Sequence, residues 1–285
     1  RTMKKDNVFQ AVMRVLKKNS QLRMGVILLI VLLCVAFFAP IIAPCDPYKL
    51  YDALVAGPGT PGHILGTDGL GRDVLSEIIY GTRTSLMIGV VAASISGILG
   101  TCIGGIAGFF GGKIDRFISE FMNFFLMTPS FFLILIIVAL FGSNIMYIMI
   151  VIGLTSWTGN ARLMRAQAIS LKERTFVKSA QAMGESRFSI MFKHIIPNGI
   201  FPIIAQTTMN VSSAILSEAG LSFLGLGDPN VVSWGQIIYH GKQYMPKGWW
   251  ISTFAGVAVV FTVLTFFLIG DGLNRVLSPK MDANN

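Results

Sequence analysis

Three side chains of the kinds that bind metal ions or transfer protons lie close together in the sequence, at His63, Asp68 and Asp73. Imidazole and carboxylate groups bind divalent cations, so this cluster raises the hypothesis of a catalytic metal site. No neighbouring residue supplies a substrate-activating group, and the surrounding stretch is rich in Gly and Pro, as in a structured loop. Asp68 or Asp73 would also suit the N-cap of a following helix. We therefore expect no catalytic residue and no metal ion in this chain.

A nucleotide site is also not expected. Lys113 follows Gly112, as in a phosphate-binding loop, but Ile114 stands where Ser or Thr is required. Ala107 stands where the first Gly of that loop is required. We predict that this chain binds no cofactor and no ATP.

Composition indicates a membrane protein. The 285 residues are 53% hydrophobic and 13% charged, and the mean hydropathy is +0.66. The net charge of +9 could suggest nucleic acid as a partner, but the charges flank apolar runs instead of forming a basic patch with interleaved aromatic residues. Three scattered cysteines give no disulfide framework and no clustered metal-ligand spacing. We expect contact with lipid and none with nucleic acid.

The pattern of apolar runs predicts an all-α fold with six transmembrane helices in one domain over residues 24–285. Residues 24–43 would also fit a secretory signal peptide, but no cleavage site followed by a soluble domain is seen. The basic, amphipathic residues 1–23 are expected to lie along the cytoplasmic face. The fourth span is short and should continue as a helix to residue 168. The predicted spans cover residues 24–43, 86–110, 117–141, 145–157, 197–217 and 249–269.

Few ionisable side chains fall within these spans. Glu120 lies near the start of the third span and Glu218 at the end of the fifth. Carriers coupled to protons or sodium ions need polar relays at mid-membrane, so this scarcity favours an external energy source. Glu218 is interpreted either as a gating residue or as a hydrogen-bonded structural carboxylate. Pro129 should kink the third span, either to line a pathway or simply for packing.

Small residues recur every fourth position along the second span, including Gly100, Gly104 and Gly108. Rows of small residues let the backbone of another helix approach closely, which is how spans associate in lipid. We predict that this helix is central to the bundle.

Lysine and arginine are distributed very unevenly between the two sides of the predicted spans. With both termini in the cytoplasm, only five of the 23 basic residues lie outside, in the loops at 44–84 and 218–248. This distribution follows the positive-inside rule. It predicts cytoplasmic termini and a cytoplasmic region at residues 158–197, with Arg162 and Arg165 at the lipid headgroups. The five outer basic residues are Lys49, Arg72, Arg83, Lys242 and Lys247.

The basic stretch 175–198 lies between two apolar runs and is itself amphipathic. Apolar residues repeat at three to four positions on either side of Gly184, which predicts two short helices. Gly184 can adopt the left-handed conformation that ends a helix, and Ser186 suits the next N-cap. Pro197 suits the first turn of the following span. The segment is interpreted as a lever between a soluble partner and the spans; an ordinary amphipathic surface helix is the alternative. The two apolar sets are Phe176, Val177, Ala180 and Met183, and Phe188, Met191, Phe192 and Ile195.

At these residues the sequence resembles a known family. Lys178-Ser179-Ala180, then three residues, Gly184, twelve residues and Pro197 resemble the cytoplasmic loop signature of binding-protein-dependent ABC importer permeases. The common signature has Glu, Ala, Ile and Leu where this chain has Lys178, Ser179, His194 and Ile196. Residues 63–86 and 218–235 resemble loops of the smaller permease subunit of oligopeptide, dipeptide and nickel importers.

The resemblance implies a type I importer fold in a bacterial or archaeal plasma membrane. It also implies a second permease subunit, an extracytoplasmic binding protein and two cytoplasmic ATPase subunits that bind ATP and Mg²⁺. Peptides are the expected cargo, with nickel or a metal chelate as the alternative. A secondary carrier, a channel and a membrane enzyme are competing classes. The ATPase contact is expected at Phe176, Val177, Ala180, Gly184, Phe188, His194 and Pro197, with Arg162 and Arg165 nearby, and the path at Pro129, Asn210 and Glu218.

Overall fold

The computed structural model describes residues 19–277, and every regular element in that range is a helix. The first long helix, α1, covers Ser20–Phe37, and the short α2 covers Ala39–Ile42. The side chain of Asn19 caps α1 by accepting a hydrogen bond from the backbone N–H of Leu22. Most of the predicted amphipathic segment 1–23, namely residues 1–18, lies outside the described residues.

Helix α3 covers Val74–Phe110. It begins twelve residues before the predicted start at residue 86, because Asp73 caps it through the backbone N–H of Ser76. Its 37 residues extend about 55 Å at roughly 1.5 Å per residue, well beyond a hydrocarbon core of roughly 30 Å. The apolar pattern marks only the part that would lie in lipid, so it could not locate the first turns.

The third predicted span is broken in two. Helix α4 covers Gly112–Met127 and helix α5 covers Ser130–Phe141, and their axes are bent by 80°. The break lies at Thr128 and Pro129, where Pro removes a backbone donor and restricts the residue before it. Where the sequence predicted a kink within one helix, the structure therefore has two separate helices.

The fourth predicted span is also interrupted. Helix α6 covers Ile145–Thr155, and α7 covers Trp157–Lys172. The chain does continue as a helix beyond residue 168, as expected, but the two helices are separated at Ser156. The carbonyl of Ser156 accepts a hydrogen bond of 2.9 Å from the hydroxyl of Ser96 on α3.

The segment after α7 consists of α8, Thr175–Ala182, and α9, Arg187–Ile190. A π-helical turn, Met191–Ile195, then leads without a break into α10, Ile196–Phe223. The prediction of a separate second short helix is therefore wrong, since Arg187–Phe223 is one helix of 37 residues. Pro197 lies just after the π turn, whose wider i to i−5 bond from Ile196 to Met191 accommodates the change in pairing. Helix α11, Trp234–Lys242, and helix α12, Trp249–Leu277, complete the described chain.

Helix α3 is central, packing against α1, α6, α7 and α10. Its N-terminal part shares a core with α10, α11 and α12 around Trp234, whose indole donates to the carbonyl of Ile78 at 3.1 Å. Within residues 19–277, four helices are long and apolar enough to cross a membrane, or five if α4 and α5 form one bent span. Helix α6, at eleven residues, is too short to cross alone.

Candidate coupling site

The bend between α8 and α9 is built on Gly184. Its φ of +78° is in the left-handed region, which residues with a Cβ rarely adopt. The backbone N–H of Gly184 donates to Gln181 and that of Glu185 donates to Ala180, which ends α8. A Cβ at Gly184 would meet nothing within 4 Å. The glycine is therefore needed for its backbone conformation and not for space.

One face of the lever is anchored in the bundle. Val177 and Ala180 of α8 are buried, as are Ile190, Met191 and Ile195 after the bend. They form one cluster with Phe109 of α3, Met164 and Ala168 of α7, and Ile203 of α10. The lever is thus packed onto α3 and α7 and onto the helix that continues from its second half.

Other apolar side chains of the lever are exposed. Phe176 is 41% exposed, Met183 79% and Phe188 63%. The predicted single apolar stripe on each helix therefore divides into a buried and an exposed set. We call Phe176, Met183 and Phe188 the exposed lever face. Large apolar side chains grouped on a surface are typical of a contact with another protein.

Glu185 joins the two sides of the bend. It accepts a hydrogen bond of 2.6 Å from the hydroxyl of Ser189 and lies 2.9 Å from Nε2 of His194. The Ser189 bond, then His194, and also Lys193 hold the pKa of Glu185 below its ordinary value. His194, predicted to contact an ATPase, is thus turned towards its own chain. Glu185 was not predicted from the sequence, although an acidic residue directly after the hinge glycine and nine residues before a His was a usable signal.

The Glu185 contacts predict a pH dependence of the bend. Because the folded-state pKa is lowered, the stabilisation is present above the ordinary value of 4.5 and is lost as pH falls through the folded-state pKa. Spin labels at Gln181 and Phe192 should report a narrow distance distribution at pH 7 that broadens on acidification. A Glu185→Gln variant should be broad at both pH values. If the distance distribution in the chain with Glu185 intact did not change with pH, the role of Glu185 in holding the bend would be contradicted.

The two predicted headgroup arginines both contact helix α4. Arg165 forms a bidentate ion pair with Asp115 of α4, in which Nη2 of Arg165 lies 2.7 Å from Oδ2 of Asp115. Arg162 donates to the side chain of Asn123 at 3.3 Å. These contacts tie α7 to α4, and the position of both arginines at the lipid headgroups stays a prediction.

The three spaced glycines of α3 lie against α7. A Cβ at Gly100 would collide with Asn160, one at Gly104 with the carbonyl of Ala161, and one at Gly108 with the carbonyl of Arg165. Backbone therefore meets backbone along this seam. Since α7 leads directly to the lever, the seam joins the lever to the centre of the bundle.

The three predicted path residues lie in different settings. Pro129 is exposed at the bend between α4 and α5. Asn210 donates to the hydroxyl of Ser96, which also accepts from Asn160. Glu218 is buried and accepts bonds of 2.7 Å from Ser222 and Ser233. The structure thus shows Glu218 as a hydrogen-bonded group, and its role as a gating residue stays a prediction.

Of the three residues His63, Asp68 and Asp73, the loop before α3 brings only His63 and Asp73 into contact. His63 Nδ1 lies 2.9 Å from Asp73. Asp68 instead pairs with Arg72 at 2.7 Å, and Arg72 also contacts Glu77 at 3.0 Å. Two isolated bridges, Thr60 with His63 and Thr67 with Asp73, shape the loop. Asp73 is therefore the helix cap, and Asp68 is not.

Comparisons with known proteins agree on one family. Residues 100–283 match the binding-protein-dependent transport system inner membrane component, and residues 7–56 match the N-terminal TM domain of oligopeptide transport permease C. The dipeptide transport system permease protein DppC of Alkalihalophilus pseudofirmus is 36% identical over 93% of this chain and 88% of its own length. The oligopeptide transport system permease protein OppC of Escherichia coli K12 is 40% identical over 90% of this chain and 87% of its own length.

A solved structure shares the fold. The MetNI methionine ABC transporter in an inward-facing conformation matches with a TM-score of 0.55 and 19% identity, over 70% of this chain and 96% of the matched chain. The family match and the apolar helices place this protein in the bacterial inner membrane as a multi-pass chain. Its relatives are transport permeases and not enzymes. This chain belongs to the family of binding-protein-dependent transport system inner membrane components.

Proposed function

We propose that this chain is one permease subunit of an ATP-driven importer of dipeptides or oligopeptides. A second, similar permease completes the translocation path, an extracytoplasmic binding protein delivers the peptide, and two cytoplasmic ATPase subunits bind ATP and Mg²⁺. The observation that carries the proposal is the exposed lever face of Phe176, Met183 and Phe188 at the Gly184 bend. Val177 and Ala180 of the same segment are packed into the bundle, as a force-transmitting element requires.

The proposed arrangement in the membrane is that of a type I importer with six crossings and both termini in the cytoplasm. Four single helices and the bent pair α4–α5 supply five crossings. Helix α6 supplies the sixth by continuing past Ser156 into α7. The bias of basic residues supports a cytoplasmic lever and an extracytoplasmic loop before α3.

The proposed mechanism is alternating access driven through the lever. ATP binding closes the ATPase pair, and the exposed lever face moves with it. Helix α10 moves as well, because Arg187–Phe223 is one continuous helix. Helix α7 moves because it is connected to α8. Its movement shifts α7 against α3 along the contact formed by Gly100, Gly104 and Gly108. The path then opens towards the other side around Ser96 and Asn210.

Peptide cargo is favoured by the relatives, which are named as dipeptide and oligopeptide permeases. The test is uptake by liposomes that contain this chain, the second permease, the ATPases and the binding protein. Labelled dipeptides or oligopeptides should accumulate only with ATP, and this chain alone should transport nothing. Transport by the isolated chain, or ATP-dependent uptake of nickel without uptake of peptide, would overturn the proposal.

A further inference from the structure

The loop between α2 and α3 brings together three different metal-binding groups. The thiol of Cys45, the imidazole of His63 and the carboxylate of Asp73 place ligand atoms within 4.8 Å of one another. The residues come from separate parts of the loop, so the fold and not local spacing creates the cluster. The scattered cysteines suggested no clustered metal ligands, but the structure places the sulfur of Cys45 beside the His63–Asp73 pair.

Asp73 is a buried carboxyl group that contacts a single ionisable partner among the described residues. The residue has no exposed surface. The guanidinium of the adjacent Arg72 is engaged by Asp68 and Glu77. Among the described residues, the ion-pair contact of Asp73 is with the imidazole of His63, at 2.9 Å. A divalent cation would pair with this buried carboxylate.

Hydrogen bonds hold the three groups in place. The hydroxyl of Ser76 donates to Oδ2 of Asp73 at 2.7 Å and accepts from the backbone N–H of Cys45 at 3.0 Å. The ring of Tyr51 packs edge-on against the imidazole of His63, with centroids 4.9 Å apart. Such outer contacts orient metal ligands and reduce the reorganisation that binding requires.

A route for an ion leads to the cluster. Cys45 is partly exposed and lines a cavity of about 550 Å³ together with Asp46, Tyr48 and Tyr80. His63 and Asp73 lie behind it, largely shielded from water. The ion would therefore meet the thiol first, and a water molecule in the cavity would complete its coordination.

We propose that Cys45, His63 and Asp73 bind one zinc ion. Sulfur, nitrogen and carboxylate oxygen are the ligands of tetrahedral zinc, at roughly 2.0–2.3 Å from the metal. Ligand atoms around such an ion lie about 3–4 Å apart, so side-chain rotations suffice to close the present cluster. The thiol loses its proton to solvent on binding, and the bond between Nδ1 of His63 and Asp73 is replaced by bonds to the metal. The ion would tie the start of the loop to the first turn of α3.

The test uses Co²⁺ as a spectroscopic substitute for zinc, added to the purified full chain after treatment with a chelator. Binding at Cys45 should give a thiolate-to-cobalt charge-transfer band at one Co²⁺ per chain, and zinc should displace it. A Cys34→Ala/Cys102→Ala double variant keeps Cys45 and should retain the band. A Cys45→Ser variant should lose the band and bind at least about tenfold more weakly, while circular dichroism shows unchanged helix content.

Two results would overturn the proposal. One is the absence of a thiolate band in the unmodified chain. The other is a band that survives in Cys45→Ser or disappears in the double variant, since either places the metal elsewhere. A Cys45→His variant distinguishes loss of a ligand from loss of fold, because imidazole should restore metal affinity without the thiolate band.

Discussion

Replacing Gly184 by Pro is expected to abolish peptide uptake while leaving the chain inserted in the membrane. Proline fixes φ near −65°, whereas Gly184 has a φ of +78°. It also removes the N–H that donates to Gln181. A penalty of about 3 kcal/mol would shift the lever away from its bent form by roughly a hundredfold. ATP hydrolysis by the assembled transporter should continue but no longer respond to the binding protein.

Two control variants make this result specific. Gly159→Ala lies on α7, where a Cβ has open space and φ is not positive, so uptake should be unchanged. Gly184→Asn should retain most uptake, because Asn tolerates the left-handed region better than other residues with a Cβ. Normal uptake by Gly184→Pro would refute the lever, and equal losses in Gly159→Ala would show that the effect is not specific to the bend.

Replacing Gly104 by Leu is expected to prevent formation of the packed bundle. A Cβ at this position already collides with the backbone of Ala161, which cannot rotate away as a side chain can. Overpacking costs about 1–3 kcal/mol for small insertions, and a whole leucine side chain at a backbone contact exceeds that. We expect no monodisperse protein in detergent and no uptake. Gly104→Ala should give folded protein with a lower thermal midpoint and reduced uptake.

The neighbouring glycine supplies the matched control. A Cβ at Gly105 would make ordinary contacts of 3.7 Å or more with Ile196 and Met164, so Gly105→Ala should keep its thermal midpoint within error. The two variants add the same methyl group to adjacent positions. Equal behaviour of Gly104→Ala and Gly105→Ala would contradict the close seam between α3 and α7.

The glycine seam and the hinge illustrate what the sequence can predict. A small residue at every fourth position has a direct geometric meaning on a helix, so Gly100, Gly104 and Gly108 could be assigned to one face. Gly184 followed by Ser186 indicated a helix end and a new start, and the structure has both. Each prediction depended on local backbone rules acting within a few residues.

Other features depend on contacts between distant parts of the chain. Pro197 suggested a helix start because proline suits the first turn, whereas the π turn before it lets the helix continue from Arg187. The apolar periodicity around Gly184 could not separate buried Val177 from exposed Phe176, since both are equally hydrophobic. Arg165 looked free for lipid until Asp115, fifty residues earlier, was placed beside it by the turn into α4.

The loop before α3 was the hardest region to predict. Asp68 and Asp73 are both plausible helix caps by residue type, and only the position of the first turn distinguishes them. Cys45 was not associated with His63, because the contact arises from the path of an irregular loop and follows no periodicity. Regular elements can be predicted from spacing, but loop contacts require the three-dimensional structure.

The most direct test of the lever is photocrosslinking within the assembled transporter. A photoreactive residue at Met183, which is 79% exposed on the lever face, should crosslink to an ATPase subunit, and more strongly with bound nucleotide. The matched control is Ile41, which is equally exposed at 79% but lies in α2, after the C-terminal end of α1. It should give no ATPase crosslink. An ATPase crosslink from Ile41, or none from Met183, would contradict the account.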